Sequence, residues 1–188
     1  VVAAKVREYG LPNLVVDPVM VAKSGDRLLR EDAVAALGEL LLPLATVVTP
    51  NLPEAEALTG RPVRSGEDVR RAAEEIVRLG ARAVVVKGGH RESAEALDVL
   101  YDGKAFREYS VPRVETASTH GTGCTFASAI AACLARGMPL ADAVAEAKAY
   151  LTEALRRAYP IGGGHGPVHH FHRWWGTQGV AGKESGPD

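Results

Sequence analysis

Three short valine-rich runs constrain this chain more than any other feature. Leu14-Val15-Val16, Thr46-Val47-Val48-Thr49 and Ala83-Val84-Val85-Val86 are too short for helices and apolar at consecutive positions, the pattern of strands buried on both faces. Helical segments separate them. Apolar residues recur at helical spacing from Glu31 to Leu42, and Glu54 to Thr59 reads as a short helix closed by Gly60. Ser65-Gly66-Glu67-Asp68 carries an S-x-x-D capping signal for a helix running to Gly80. Strand and helix in alternation make βαβ units, so the expected class is α/β with a mostly parallel central sheet flanked by helices.

The remaining segments have different patterns. Leu97 to Tyr101, the Asp102-Gly103 pair and Ala105 to Val111 predict a β-hairpin. A helix is expected after Gly123, another from Leu140 to Ala158, and a last short one over Pro167 to Trp175. Gly176 to Asp188 is polar and glycine-rich and reads as a disordered tail. No repeat or linker divides residues 1–175, so one domain is expected there. Val2 to Tyr9 already reads as the last turns of a helix, which creates the expectation that a segment precedes it.

Charge narrows the partners. The net charge is -1, from 22 basic and 23 acidic side chains, with no basic footprint for nucleic acid and no polybasic patch for a membrane surface. Apolar runs are too short to span a bilayer, and no signal peptide is visible, so a cytoplasmic location is expected. Cys124 and Cys133 fall in one predicted helix, with backbones about 13 Å apart at helical rise. That is too far for a disulfide, so both are expected as free thiols.

Thr119-His120-Gly121-Thr122-Gly123-Cys124 is the strongest candidate for a ligand site. Glycines let the backbone turn tightly and approach a ligand, and the first N–H groups of the following helix point outward at its positive end. An anion, naturally a phosphate, fits there. Cys124 lies in the first turn, where a helix end favours thiolate, so it is a candidate base or nucleophile. The pattern lacks the Gly-Lys-Ser/Thr ending of a Walker A loop and the third glycine of a dinucleotide fingerprint.

In an open parallel sheet, ligands bind beyond the carboxyl ends of the strands. Those ends carry Asp17, then Thr49 with Asn51 and Glu54, then Lys87 with Gly88 and Gly89. Together with the glycine turn they supply what phosphoryl transfer from a magnesium nucleotide needs: carboxylates for the ion, a lysine for phosphate and an N–H cradle. Each also has an ordinary role. Asp17 before a proline starts a turn, Asn51 caps a helix, Glu54 sits in a first turn, and Lys87 at a strand end is solvated, as are the loop residues Lys23 and Asp26. Cys133 reads as structural. His165, His169, His170 and His172 lack acidic or thiol partners at ligand spacing, which disfavours zinc.

Five blocks resemble hydroxymethylpyrimidine/phosphomethylpyrimidine kinase of thiamine biosynthesis, a ribokinase-like family. They are Asp17-Pro18-Val19-Met20 through Gly25, Thr49-Pro50-Asn51-Leu52-Pro53-Glu54, Val86-Lys87-Gly88-Gly89-His90, Thr119 through Thr125, and Gly164-His165-Gly166-Pro167-Val168. The resemblance implies a three-layer ribokinase-like fold and Mg-ATP-dependent phosphorylation of 4-amino-5-hydroxymethyl-2-methylpyrimidine and then of its monophosphate. It further implies that Gly121, Thr122, Gly123 and Cys124 form the anion hole, with Cys124 as the base and Lys87 on phosphate. Thr49, Asn51, Glu54 and Gly89 would lie on the nucleotide side, Asp17 and Glu54 toward Mg2+, and Val19 against the pyrimidine. Members of the family are longer at the N-terminus, so this chain is expected to be the nucleotide-side portion of the fold, with unpaired strand edges. Dimerisation is a further family expectation. A pyridoxal-type kinase, a non-catalytic binding remnant and a thiol hydrolase using Cys124 stand as alternatives.

Overall fold

In the computed structural model, residues 1–20, 28–88, 94–161 and 163–175 are described. The valine runs place neighbouring residues on opposite faces of one sheet. Val48, Val84 and Val86 join an apolar cluster with Leu52, Ala55, Val69, Ala73 and Ile76. Val47 and Val85 join a second cluster with Phe126, Ile130, Leu134, Val144 and Ala147. Strands apolar on both sides thus receive a helical layer on each face, which gives three layers.

The strands are β1 (Val15–Val16), β2 (Val47–Val48), β3 (Val84–Lys87), β4 (Glu95–Tyr101) and β5 (Phe106–Pro112), hydrogen-bonded in that order. β1, β2 and β3 are parallel, whereas β4 and β5 run antiparallel. The sheet is therefore mixed, and the expectation of a mostly parallel one holds only for its first half. The physical reason is the link from Lys87 to Glu95, which is too short for the crossover that a parallel partner requires. Asp102 holds the hairpin turn by accepting from the N–H groups of Lys104 and Ala105. β1 has β2 as its one neighbour in the sheet among the described residues.

Among the described residues six α-helices flank the sheet: α1 (Val2–Glu8), α2 (Glu31–Ala36), α3 (Leu52–Thr59), α4 (Gly66–Arg78), α5 (Thr122–Ala135) and α6 (Leu140–Arg156). α4 starts at the expected capping box, in which Ser65 and Asp68 exchange side-chain and backbone hydrogen bonds. The helix expected from Glu31 to Leu42 loses its α ladder after Ala36. It continues as a π turn over Leu37–Leu41 and a 3-10 turn over Leu42–Leu44, where Pro43 has no N–H to extend a ladder. Residues 167–175 form turns rather than the expected helix. Gly89, Lys23, Asp26 and the expected tail 176–188 lie outside the described residues. Among the described residues no helix is long and apolar enough to cross a membrane.

Candidate active site

Beyond the carboxyl ends of β1, β2 and β3 the chain delivers Asp17, Thr49 and Lys87 to one place. Asp17 Oδ1 accepts from Lys87 Nζ at 2.7 Å and from Thr49 Oγ1 at 2.9 Å. Thr49 is fully buried, and the Lys87 and Asp17 side chains are only 15% and 13% exposed. Parallel pairing persists just past the strands, since Lys87 N–H donates to the Pro50 carbonyl at 2.8 Å. The lysine is therefore not solvated, as an isolated strand-end residue would be. It is held by a carboxylate that a buried threonine orients.

Glu54 joins the same charge cluster. At the start of α3, its N–H donates to Asn51 Oδ1 and its carboxylate accepts from the Asn51 N–H, a reciprocal cap. Asn51 thus does act as a cap, but Glu54 is only 3% exposed instead of lying at the surface. Burial raises the carboxyl pKa above its ordinary 4.5, and the Asp17 charge adds to the rise. Backbone donors from Asn51 and Met20 and the Lys87 charge oppose it without cancelling it. Such a carboxylate gains from a cation nearby.

The glycine turn closes the site from the other face of the sheet. Gly121 has φ +81°, a left-handed conformation that favours glycine, and its carbonyl accepts the first helical hydrogen bond, from Thr125 N–H at 2.9 Å. The N–H groups of Thr122, Gly123 and Cys124 have no acceptor within α5. A Cβ on Gly123 would stand 3.2 Å from Lys87 Nζ and 3.6 Å from Asp17 Oδ2. The N-terminus of α5 therefore abuts the Lys87–Asp17 pair. Phe126, Ile130 and Leu134 fix the helix there by packing on the sheet.

Cys124 is exposed and Cys133 buried, both as free thiols. Cys124 opens onto a cleft of about 690 Å³ between α5 and α6, whose wall includes His120, Ser128, Tyr150 and Trp174. The glycine-histidine block supports the turn. His120 N–H donates to the Gly166 carbonyl at 3.0 Å, and Ser118 lies so close to Gly166 that a Cβ there would meet its Oγ at 2.6 Å. His169 and His172 lie in an aromatic cluster with Tyr150 and Tyr159, and His172 Nδ1 contacts the His169 carbonyl. Val19 is 43% exposed, two residues beyond Asp17.

The phosphomethylpyrimidine kinase family matches residues 1–169. This chain belongs to it. Over 177 residues the chain is 56% identical to the hydroxymethylpyrimidine/phosphomethylpyrimidine kinase of Rhizobium meliloti, covering 93% of this chain and 66% of that one. An ADP complex of Bacillus subtilis pyridoxal kinase matches at TM-score 0.84 and 40% identity, over 90% of this chain and 64% of the other. The phosphomethylpyrimidine kinase of Clostridium difficile matches at TM-score 0.71 and 40% identity, over 82% and 62%. The chain spans about two thirds or less of the length of each of these relatives. The fold is the three-layer ribokinase-like one.

In this phosphomethylpyrimidine kinase family member, sequence reasoning missed the pair Asp98 and Lys148, which meet at 2.6 Å with both residues 6% exposed. A signal was present. Lys148 sits on the helical stripe of Val144, Ala147 and Thr152, all buried, where a lysine is out of place unless paired.

Proposed function

We propose that this family member transfers phosphoryl groups from Mg-ATP to 4-amino-5-hydroxymethyl-2-methylpyrimidine and to its monophosphate, in the biosynthesis of thiamine. The observation that carries the reading is the close approach of Lys87 and Asp17 to Gly123 at the start of α5. A lysine, a carboxylate and N–H groups that have no acceptor within their own helix stand together there, as phosphoryl transfer requires. Relatives named for this pyrimidine support the choice of acceptor.

In this scheme Lys87 binds the transferred phosphate, and the N–H groups of Gly121, Thr122, Gly123 and Cys124 stabilise the charge on its oxygens. Cys124 takes the proton of the acceptor hydroxyl as it attacks, a role for which its exposed position in the cradle suits it. Thr49 and Asn51 lie on the nucleotide side, and Val19 faces the pyrimidine ring.

The residues present also fit magnesium. Among the described residues no cluster of three or more His, Cys, Asp or Glu forms a protein cage for a metal. Mg2+ instead binds through one or two carboxylates together with substrate phosphates. Asp17 and the buried Glu54 provide these, directly or through water, and burial, which raises the Glu54 pKa, is a cost that a bound cation offsets. When bound, the ion neutralises phosphate charge. A homodimer belongs to the same proposal.

A pyridoxal-type kinase is the second reading, favoured by the match to the Bacillus subtilis pyridoxal kinase. The test is product formation by mass spectrometry with Mg-ATP and either phosphomethylpyrimidine or pyridoxal. Diphosphate that vanishes in Cys124→Ala supports the proposal. Phosphorylation of pyridoxal alone favours the second reading, and no product from either acceptor counts against both for this chain.

A further inference from the structure

Asp98 and Lys148 lie in the interior, 50 residues apart in sequence, with Lys148 Nζ 2.6 Å from Asp98 Oδ2. The pair joins α6 to β4. Burying two charges in the interior is costly, and well-packed apolar residues commonly serve as well for stability alone. What an apolar residue cannot do is accept a hydrogen bond. The second oxygen, Asp98 Oδ1, accepts from the Gly88 N–H at 3.0 Å.

Gly88 is the residue immediately after Lys87, where β3 ends and its pairing with the Asn51 segment has run out. Lys87 stands opposite Asp98 in the β3–β4 register. The β4 backbone crowds the same point, because a Cβ on Gly88 would lie 2.0 Å from the Leu97 carbonyl oxygen. Lys148 anchors the Asp98 carboxylate from α6, Asp98 holds the Gly88 amide, and the amide sets the direction in which β3 leaves the sheet.

We infer that Asp98 and Lys148 are positioning residues that fix the exit of β3, and thereby Lys87, for binding the phosphates of a nucleotide. The consequence for phosphate rests on the kinase reading above; the ordering of β3 does not. The device links both elements of the second helical layer to one site. α5 brings its N-terminus to Lys87, and α6 holds the backbone that carries Lys87.

Amide hydrogen exchange by NMR and Mg-ATP titration by calorimetry test this on the full chain and two double variants. Asp98→Asn with Lys148→Gln keeps an acceptor for Gly88 and removes both charges together. Asp98→Leu with Lys148→Met removes the acceptor and also leaves no unpaired charge. The Gly88 amide is expected to be as protected as those of β3 in the unaltered chain and in the Asn/Gln pair. In the Leu/Met pair its exchange should rise about tenfold or more, with a similar fall in Mg-ATP affinity at a matched melting temperature.

Unprotected Gly88 in the unaltered chain would overturn the inference, and that measurement needs no variant to fold. So would a Leu/Met pair with unchanged protection and affinity. Absence of Mg-ATP binding by the unaltered chain would count against the kinase reading, while the Gly88 exchange still decides whether the pair orders β3.

Discussion

Lys87 Nζ lies 2.7 Å from Asp17 Oδ1 although 70 residues separate them, and the same oxygen accepts from Thr49. Asp17→Asn keeps an acceptor for Thr49 but leaves a mostly buried ammonium without its counter-charge. A loss of about 1–3 kcal/mol is expected. Urea unfolding checks it through a lower midpoint at unchanged slope. An unchanged midpoint would mean that the pair contributes nothing.

Glu54 makes a pH prediction. Burial holds its folded pKa above 4.5, so the folded chain binds this proton more tightly than the unfolded one. Its contribution to stability therefore improves as pH falls through the raised value toward 4.5, and levels off below, where both states are protonated. Glu54→Gln should remove that slope, raise the metal-free melting temperature at neutral pH and abolish the magnesium-dependent part of ATP binding. Melting temperature measured against pH for both proteins decides it. Parallel curves would contradict the assignment.

Gly88 and Gly38 form a matched pair of alanine substitutions. At Gly88 the added Cβ meets the Leu97 carbonyl oxygen at 2.0 Å, so the cost should reach the upper end of overpacking, about 3 kcal/mol. At Gly38 it meets nothing within 4 Å, and alanine should stabilise by about 0.5 kcal/mol. Thermal unfolding of both variants gives the comparison, and equal effects would refute the Leu97 contact.

Thiol labelling distinguishes the two cysteines. Iodoacetamide should modify exposed Cys124 rapidly and Cys133, 8% exposed, slowly. Mg-ATP with the pyrimidine should protect Cys124. Peptide mass spectrometry over time reads both rates, and equal rates would contradict the burial of Cys133.

Much of the architecture was legible because local pattern and global fold agree. The valine runs became strands, Ser65 and Asp68 became the expected capping box, and Asp102-Gly103 became the hairpin turn. The proximity of Asp17, Lys87 and Gly123 was legible too, through the rule that parallel strands deliver their carboxyl ends to one edge. Less legible were features set by tertiary contacts. The burial of Glu54 depends on segments distant in sequence, and the antiparallel turn after Lys87 follows from a short link rather than from residue pattern. Asp98 and Lys148 went unread because their charges matter only once α6 lies on β4.

Calorimetric titration of Mg-ATP into the unaltered chain and into Lys87→Met tests the central claim most directly, with folding of both verified by circular dichroism. Binding that weakens about tenfold to a hundredfold in Lys87→Met, the range for a lost hydrogen bond to a charged group, is the predicted result. Equal affinity in the two folded proteins would show that phosphate is not held at the junction of Lys87, Asp17 and the start of α5.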